Sequence, residues 1–320
     1  MPASRLVRRL LIVGGGGAVV AASLAIVADL PATLDALGRF QWRLLTLVIA
    51  ATLLNYALRF LKWHFYLRRL TVPLPVRQSL LVFLAGFTMA ITPGKVGELL
   101  KAFLVRDLVG TALSRTASVV VAERLTDVAG LLVLSALGAT ALPHGGLVLA
   151  TVAALLAAAW VLLQMPRLAD ALHGALLRGG RLARLAEPLR LFLGTGRTLL
   201  APGPLALTVG LSIVSWFFEC LAFSLVLQGL GLAMPLQAAT FLYAFAALAG
   251  ALSMVPGGLG VTEGSLTGLL VAFGTPLPAA AAATLLIRAA TLWFAVALGA
   301  MTLALAFRGG PVMPEPAASA

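Results

Sequence analysis

Long apolar runs alternate with short polar segments along this chain, and the apolar runs are rich in leucine and alanine. A helix needs about 20 consecutive apolar residues to cross the hydrocarbon core of a bilayer. Runs of that kind predict about six full spans. These lie near residues 10–27, 43–66, 116–140, 147–165, 204–229 and 279–306. Because a spanning backbone must satisfy its own hydrogen bonds and the runs do not alternate, we predict an all-α polytopic membrane protein.

Two further apolar regions, residues 78–107 and 237–274, are each interrupted in the middle by prolines and glycines. Proline removes a helix donor and glycine relaxes the backbone, so each region is predicted to form two short helices around a turn. The turn residues are Pro93, Gly94 and Gly97 in the first break and Pro256, Gly257 and Gly260 in the second. Backbone of this kind is tolerated at bilayer depth beside protein or a wet cavity.

The basic residues favour two re-entrant hairpins over two full crossings. If both broken regions return to the side they entered, 16 basic residues, Lys62 among them, fall on the cytoplasmic side and 2 on the other. This asymmetry obeys the positive-inside rule, and a full crossing by only one of the regions would weaken it. We therefore expect a multi-pass protein of the bacterial cytoplasmic membrane with both termini in the cytoplasm.

The two breaks repeat one another. Pro93 and Pro256 are 163 residues apart, and the matched glycines after each proline keep that offset. In the following spans Arg124 corresponds to Arg288 at an offset of 164. With the topology above, the repeats are inverted, an arrangement by which transporters build a binding site near the midplane. We place the repeats at about 43–140 and 204–306 within one transmembrane domain, residues 1–308.

Composition agrees with a membrane location, since 61% of residues are hydrophobic, 11% are charged and the mean hydropathy is +1.05. The net charge of +12 would favour nucleic acid in a soluble protein. Here the arginines lie mainly between apolar runs without interleaved aromatics, which fits anionic lipid headgroups and no nucleic acid. The lone Cys220 excludes an intrachain disulfide. The histidines share no ligand spacing, so we predict neither a metal nor a cofactor.

Three motifs carry a resemblance to a known family: the run from Pro93 to Arg106, the segment Glu123–Asp127, and the run from Pro256 to Gly264. Together they resemble the lysylphosphatidylglycerol synthase transmembrane, or flippase-like, family over roughly residues 10–306. That resemblance implies movement of lipids between leaflets. The chain ends in a short tail, residues 309–320, which we predict to be disordered, where synthase members carry an aminoacyltransferase domain. Lipid lysylation is therefore not implied, and the lipid substrate stays open.

Cations in apolar surroundings are the predicted binding residues. A charge at bilayer depth costs about 2.5 kcal/mol or more, so it faces a cavity or a partner. A lipid phosphate is a suitable partner, because arginine donates in a planar fork and lysine adds a compact charge. The predicted headgroup-binding residues are Lys95, Lys101, Arg124 and Arg288. The glycine-rich breaks add free backbone N–H groups at the start of a short helix.

Four carboxylates lie beside these cations, and two interpretations of them are open. They are Glu98, Glu123, Asp127 and Glu263. Either they contact a cationic part of a headgroup or carry a coupling proton, or they neutralise the cations as structural ion pairs. Two interpretations of the polar connector at 166–203 are also open. It forms either an amphipathic helix on an anionic leaflet or a solvated loop.

We weigh three function classes. A lipid translocase, with membrane lipids as its partners, accounts for the repeats and the buried cations. An intramembrane lipid-modifying enzyme needs an acid-base set, for which the candidates are Glu123, Asp127 and Glu263. The sequence shows no metal cluster, nucleotide loop or Ser-His pairing, so we expect no enzyme. A non-transporting scaffold of a glycolipid pathway leaves the paired breaks unexplained. A homodimer is left open.

Overall fold

The computed structural model describes residues 19–20, 22–24, 26–92, 97–138, 145–178 and 180–306. Several predicted features fall wholly or largely outside these residues. They are the first span at 10–27, the turn residues Pro93 and Gly94, the cation Lys95, and the tail at 309–320. Every regular element in the described part of the chain is helical.

The described residues include thirteen α-helices, numbered in chain order. They are α1 (Leu30–Gly38), α2 (Leu45–Arg69), α3 (Val76–Gly86), α4 (Leu100–Val109), α5 (Leu113–Ala136), α6 (Gly145–Gln164), α7 (Pro166–Arg178), α8 (Ala186–Leu199), α9 (Pro202–Gly229), α10 (Leu236–Leu252), α11 (Val261–Ala272), α12 (Leu277–Arg288) and α13 (Phe294–Ala306). A π-helical turn, Ala289–Trp293, joins α12 to α13.

Four continuous helical stretches of the described chain are long and apolar enough to cross a bilayer. They are Trp42–Arg69, Gly146–Gln164, Pro202–Gly229 and Leu277–Ala306. Each coincides with a predicted span, so the chain is an integral α-helical membrane protein. The region predicted as a span at 116–140 contains the 24-residue helix α5, which is not among these four stretches and carries Glu123, Arg124 and Asp127 in its middle, so its crossing of the bilayer stays a prediction.

The surface of α2 fits a lipid environment. Leu47, Leu54 and Leu61 recur every seventh residue, and each is about half exposed, at 52%, 48% and 54%. Residues seven apart lie on one face of a helix, so the leucines form an apolar stripe on the outside of the protein.

Both predicted interruptions are present. In the first region α3 ends at Gly86 and α4 begins at Leu100. In the second, α10 ends at Leu252 and α11 begins at Val261. Gly257 lies in the second break with a φ of +61°, a left-handed conformation that glycine adopts at little cost.

One pair of backbone turns matches at the offset of the predicted repeat. At the end of α2 the Val72 N–H donates to the Leu67 carbonyl at 3.0 Å, and at the end of α9 the Leu232 N–H donates to the Leu227 carbonyl at 2.9 Å. Both turns contain a residue with positive φ, Thr71 at 53° and Gly231 at 72°. The corresponding residues are 160 apart, so the sequence offset reflects a repeated turn.

The two repeats interlock rather than standing side by side. The first helices of the two repeats, α2 and α9, pack along each other, and the Asn55 side-chain amide donates to the Ser215 carbonyl at 2.7 Å. Helix α5 packs against α10 of the second repeat, and α13 packs against α3 of the first. The breaks also approach each other, since a Cβ at Gly257 would lie 3.3 Å from Ile91. Helices of residues 43–140 and 204–306 are thus in contact along much of their length.

We expect Gly299→Ala to destabilise this interface by about 1–3 kcal/mol, because added volume in a closely packed contact forces helices apart. A Cβ at Gly299 would lie 2.5 Å from the backbone nitrogen of Thr88, which lies in the short turn directly after α3. Gly268→Ala is the control, since a Cβ there meets nothing within 4 Å. Thermal unfolding in detergent compares the two variants. Equal melting temperatures would show that the α13–α3 contact has room to relax.

Candidate functional site

The largest concentration of buried charge in the described residues lies where α2, α4 and α5 meet. Its members are Arg59, Lys62, Glu98, Lys101, Glu123, Arg124 and Asp127, named here the cationic cluster. The Lys62, Glu123 and Asp127 residues are only 1%, 1% and 3% exposed. Charges this deep are retained only when they are paired and hydrogen-bonded.

Lys62 is at the centre of the cluster. Its Nζ lies 2.5 Å from Asp127 Oδ1 and 2.7 Å from Ser212 Oγ, and Ser212 Oγ itself donates to Asp127 Oδ1 at 3.2 Å. Ser212 belongs to α9 of the second repeat. This one ammonium group therefore ties the first helix and the following span of repeat one to the first helix of repeat two.

Lys62, counted among the cytoplasmic basic residues in the sequence analysis, is buried inside the protein rather than exposed in a loop, and its side of the membrane stays a prediction. Lys62 is 1% exposed and lies seven residues before Arg69, about two helical turns inside α2. Its stem points toward α5, where Asp127 supplies a counter-charge. Lys62 lies within the predicted span 43–66, and this position was the sequence signal that it is buried. The signal was missed because Lys62 was counted with the basic residues of the loop that follows.

Lys101 is held by protein groups. Its Nζ lies 2.5 Å from Glu123 Oε2 and 4.5 Å from the centre of the Trp63 ring. Gly86 makes room for the lysine stem, because a Cβ there would lie 2.6 Å from Lys101 Cγ. Glu98 Oε2 is 3.8 Å from the same ammonium. Of the two interpretations of the carboxylates, this geometry favours the one in which Glu123 neutralises Lys101 as a structural ion pair.

Arg59 and Arg124 differ from the two lysines. Arg124 Nη2 lies 2.9 Å from Asp127 Oδ2 and 3.4 Å from Glu98 Oε2, and its side chain is 21% exposed. Arg59 Nη2 lies 4.0 Å from Asp127 Oδ2, and its guanidinium faces the Trp216 ring at 5.8 Å. Among the described residues, neither the Arg59 Nε nor the Arg124 Nε has a hydrogen-bond partner, although both atoms are buried. Two buried guanidinium N–H groups thus have no acceptor among the described residues.

The described part of the cationic cluster contains four cations and three carboxylates, so it carries a net positive charge. An excess buried charge is costly in low dielectric unless a counter-ion compensates it. A phosphate group meets that requirement, because it offers several acceptor oxygens and negative charge.

A second ion pair secures the other break. Arg288 Nε donates to Glu263 Oε1 at 2.6 Å, and its Nη2 donates to the Gly257 carbonyl at 2.8 Å. The second oxygen of Glu263 accepts from the Gly260 N–H at 2.8 Å, at the start of α11. Arg288 and Glu263 therefore connect the second break to α11 and to the end of α12.

Two tyrosine hydroxyls bind acceptors of the second repeat, Tyr56 from the first repeat and Tyr243 from within the second. The Tyr56 hydroxyl donates to the Thr291 carbonyl at 2.6 Å, within the π-helical turn that begins one residue after Arg288. The Tyr243 hydroxyl donates to Glu219 Oε2 at 2.7 Å. Single π-turns occur frequently at functional sites because they redirect backbone carbonyls.

The structure places most predicted site residues in two groups. Lys101, Arg124, Glu98, Glu123 and Asp127 meet in the cationic cluster, and Arg288 pairs with Glu263 at the second break. Lys95 lies outside the described residues. Lys62 and Tyr56 were not predicted as site residues, and their partners lie on sequence-distant helices.

Comparison with known proteins matches the family that the sequence motifs resemble. The sequence profile of the family described as "Lysylphosphatidylglycerol synthase TM region" matches residues 11–299. A protein named "UPF0104 membrane protein", from Methanothermobacter thermautotrophicus, is 40% identical over 91 residues. That match covers 28% of this chain and 27% of the relative, so it spans about a quarter of that protein's length.

Proposed function

Because the chain belongs to the lysylphosphatidylglycerol synthase transmembrane family, we propose that it is a lipid translocase that moves a phospholipid or a polyprenyl-phosphate-type lipid between leaflets. The observation that carries this proposal is the pair of buried guanidinium nitrogens, Arg59 Nε and Arg124 Nε, without partners among the described residues. They lie in a cluster whose described members have a net positive charge and border both repeats.

The chemistry of the step follows from these donors. A lipid phosphate entering the cluster accepts hydrogen bonds from Arg59 and Arg124 and compensates the excess positive charge. The phosphate gains protein donors as it loses water, so the cost of bringing it to bilayer depth falls. Glu98 and Asp127 already border Arg124 and keep its attraction for phosphate moderate, which permits release. The lipid leaves chemically unchanged.

The repeats supply a route to both leaflets. We propose that the two broken regions are re-entrant hairpins that enter from opposite sides of a bacterial cytoplasmic membrane, with both termini in the cytoplasm. Their arms pack against the spans of the opposite repeat, α3 on α13 and α10 on α5. A small rotation of one repeat against the other would open the cluster to either side in turn, as in other inverted-repeat transporters.

Leaflet exchange in reconstituted vesicles tests the proposal. The full chain is reconstituted with fluorescently labelled phosphatidylglycerol, and dithionite added outside bleaches the label in the outer leaflet. We expect the inner-leaflet label to become accessible faster than in protein-free vesicles. Lipid extraction and mass spectrometry of the same sample establish whether the lipid is chemically unchanged.

The outcomes separate the three function classes. Exchange without chemical change supports the translocase. A new lipid species would overturn it in favour of a lipid-modifying enzyme. Exchange no faster than in protein-free vesicles, with phosphatidylglycerol and with a polyprenyl-phosphate probe, would overturn it in favour of a scaffold.

A further inference from the structure

An open surface pocket of about 550 Å³, named here the cavity, lies where α2 ends, α5 begins and α8 passes. The polar groups that line it are Arg69, Arg115, Glu187, Arg190, Thr195 and Thr198. Three separate elements converge there, so the arrangement depends on the tertiary fold rather than on one basic stretch of sequence.

The lining is positively charged. It has three guanidinium groups against the single carboxylate of Glu187. Arg190 Nη1 lies 4.0 Å from that carboxylate, and His173 Nε2 lies 3.5 Å from it. Within the described ranges, no carboxylate oxygen lies within 4.0 Å of a nitrogen of Arg69 or Arg115. These two arginines therefore present donors and charge that no acidic side chain of the described protein neutralises.

The position of the cavity identifies the kind of ligand. Arg69 is the last residue of a span-length helix, so the cavity lies at the level where hydrocarbon gives way to headgroups. Leu191, which is 40% exposed, lines the same cavity. Leu172 and Leu185, on the same connector, are 40% and 48% exposed. Basic groups beside exposed leucines match an amphiphile with an anionic head and an apolar tail.

We propose that this cavity binds the phosphate of an anionic phospholipid and is an accessory lipid site separate from the cationic cluster. Arg69 and Arg115 donate to the phosphate oxygens, and Leu191 contacts the first part of an acyl chain. The bound lipid would join the connector to the ends of α2 and α5. The proposal does not depend on lipid translocation, because none of its residues belongs to the cationic cluster.

Native mass spectrometry of the purified full chain tests this site, with phosphatidylglycerol and phosphatidylcholine as probes. We expect Arg69→Gln/Arg115→Gln to retain one phosphatidylglycerol fewer per chain, with that affinity lowered about 20-fold, because each basic group near the surface contributes about fivefold. Arg178→Gln/Arg184→Gln removes the same charge from exposed connector positions outside the cavity. This control should bind as the wild type does.

Glu187→Gln gives a prediction of opposite sign. It removes the carboxylate from the cavity, so phosphatidylglycerol should bind about two- to fivefold more tightly. A gain in affinity cannot result from misfolding.

Three results would overturn the accessory site. They are equal retention of phosphatidylglycerol and phosphatidylcholine, unchanged binding in Arg69→Gln/Arg115→Gln, and weaker binding in Glu187→Gln. Displacement of the lipid by an equal concentration of inorganic phosphate would assign the cavity to soluble anions instead. Failure of the translocation assay leaves all of these measurements intact, because they report binding alone.

Discussion

Asp127→Asn should lower the free energy of unfolding by about 3–5 kcal/mol, the usual cost of removing one partner of a buried ion pair. Asp127 is the counter-ion of Lys62, at 2.5 Å, and it also lies within 4.0 Å of Arg59 and Arg124. Without its charge, the Lys62 ammonium remains 1% exposed with hydroxyl and carbonyl oxygens as its described partners. Denaturant or SDS titration in mixed micelles measures the loss.

The matched control is Asp35→Asn. Asp35 pairs with Arg39 at 2.5 Å, but both side chains are more than half exposed, so the expected cost is below about 1 kcal/mol. Lys62→Met/Asp127→Asn should be more stable than Asp127→Asn, because the buried ammonium is removed together with its counter-ion. If Asp127→Asn unfolds like the wild type, Asp127 does not compensate Lys62 and the cluster has been assigned wrongly.

Arg124→Lys should reduce the rate of lipid exchange about 10- to 100-fold while leaving the fold intact. Lysine keeps the positive charge beside Asp127 and Glu98 but lacks the planar fork that binds two phosphate oxygens. Loss of a charge-assisted hydrogen bond costs about 1.5–3 kcal/mol, which corresponds to that range of rates. The vesicle assay with labelled phosphatidylglycerol measures the effect.

Arg39→Lys is the control for exchange, because Arg39 is exposed and pairs only with Asp35 in the described residues. The melting temperature of Arg124→Lys is measured in parallel, so that a folding defect is not counted as a transport defect. Exchange by well-folded Arg124→Lys at the wild-type rate would remove Arg124 from the binding site and leave the proposed function without its central donor.

The sequence and the structure agree on the local features of the chain. Four span-length helices lie where apolar runs predict them, since hydropathy over about 20 residues is a local property. The break at Pro256 lies where proline removes a helix donor and glycine permits positive φ. The 160-residue offset between the repeats corresponds to a matching pair of backbone turns.

The sequence left open whether the buried carboxylates pair with the neighbouring cations, and partners on distant helices could not be predicted from spacing. The expectation that Arg124 faces a headgroup stays a prediction. Its contact with Asp127 is local, because residues three apart lie on the same face of a helix. Lys62 reaches Ser212, 150 residues along the chain, and no sequence spacing reports such a contact.

Taken alone, the sequence determined a helical membrane protein with two interrupted regions, a repeat, and cations in apolar surroundings, because each of these follows from hydropathy, backbone chemistry or spacing along the chain. Only the tertiary structure decided which cations are neutralised within the protein and which keep N–H groups without an acceptor in the described residues. Lys101 is held by Glu123 and Lys62 by Asp127, while the Nε atoms of Arg59 and Arg124 have no acceptor in the described residues. The physical reason is that electrostatic pairing depends on distances of a few ångströms between helices, which packing of the two repeats sets.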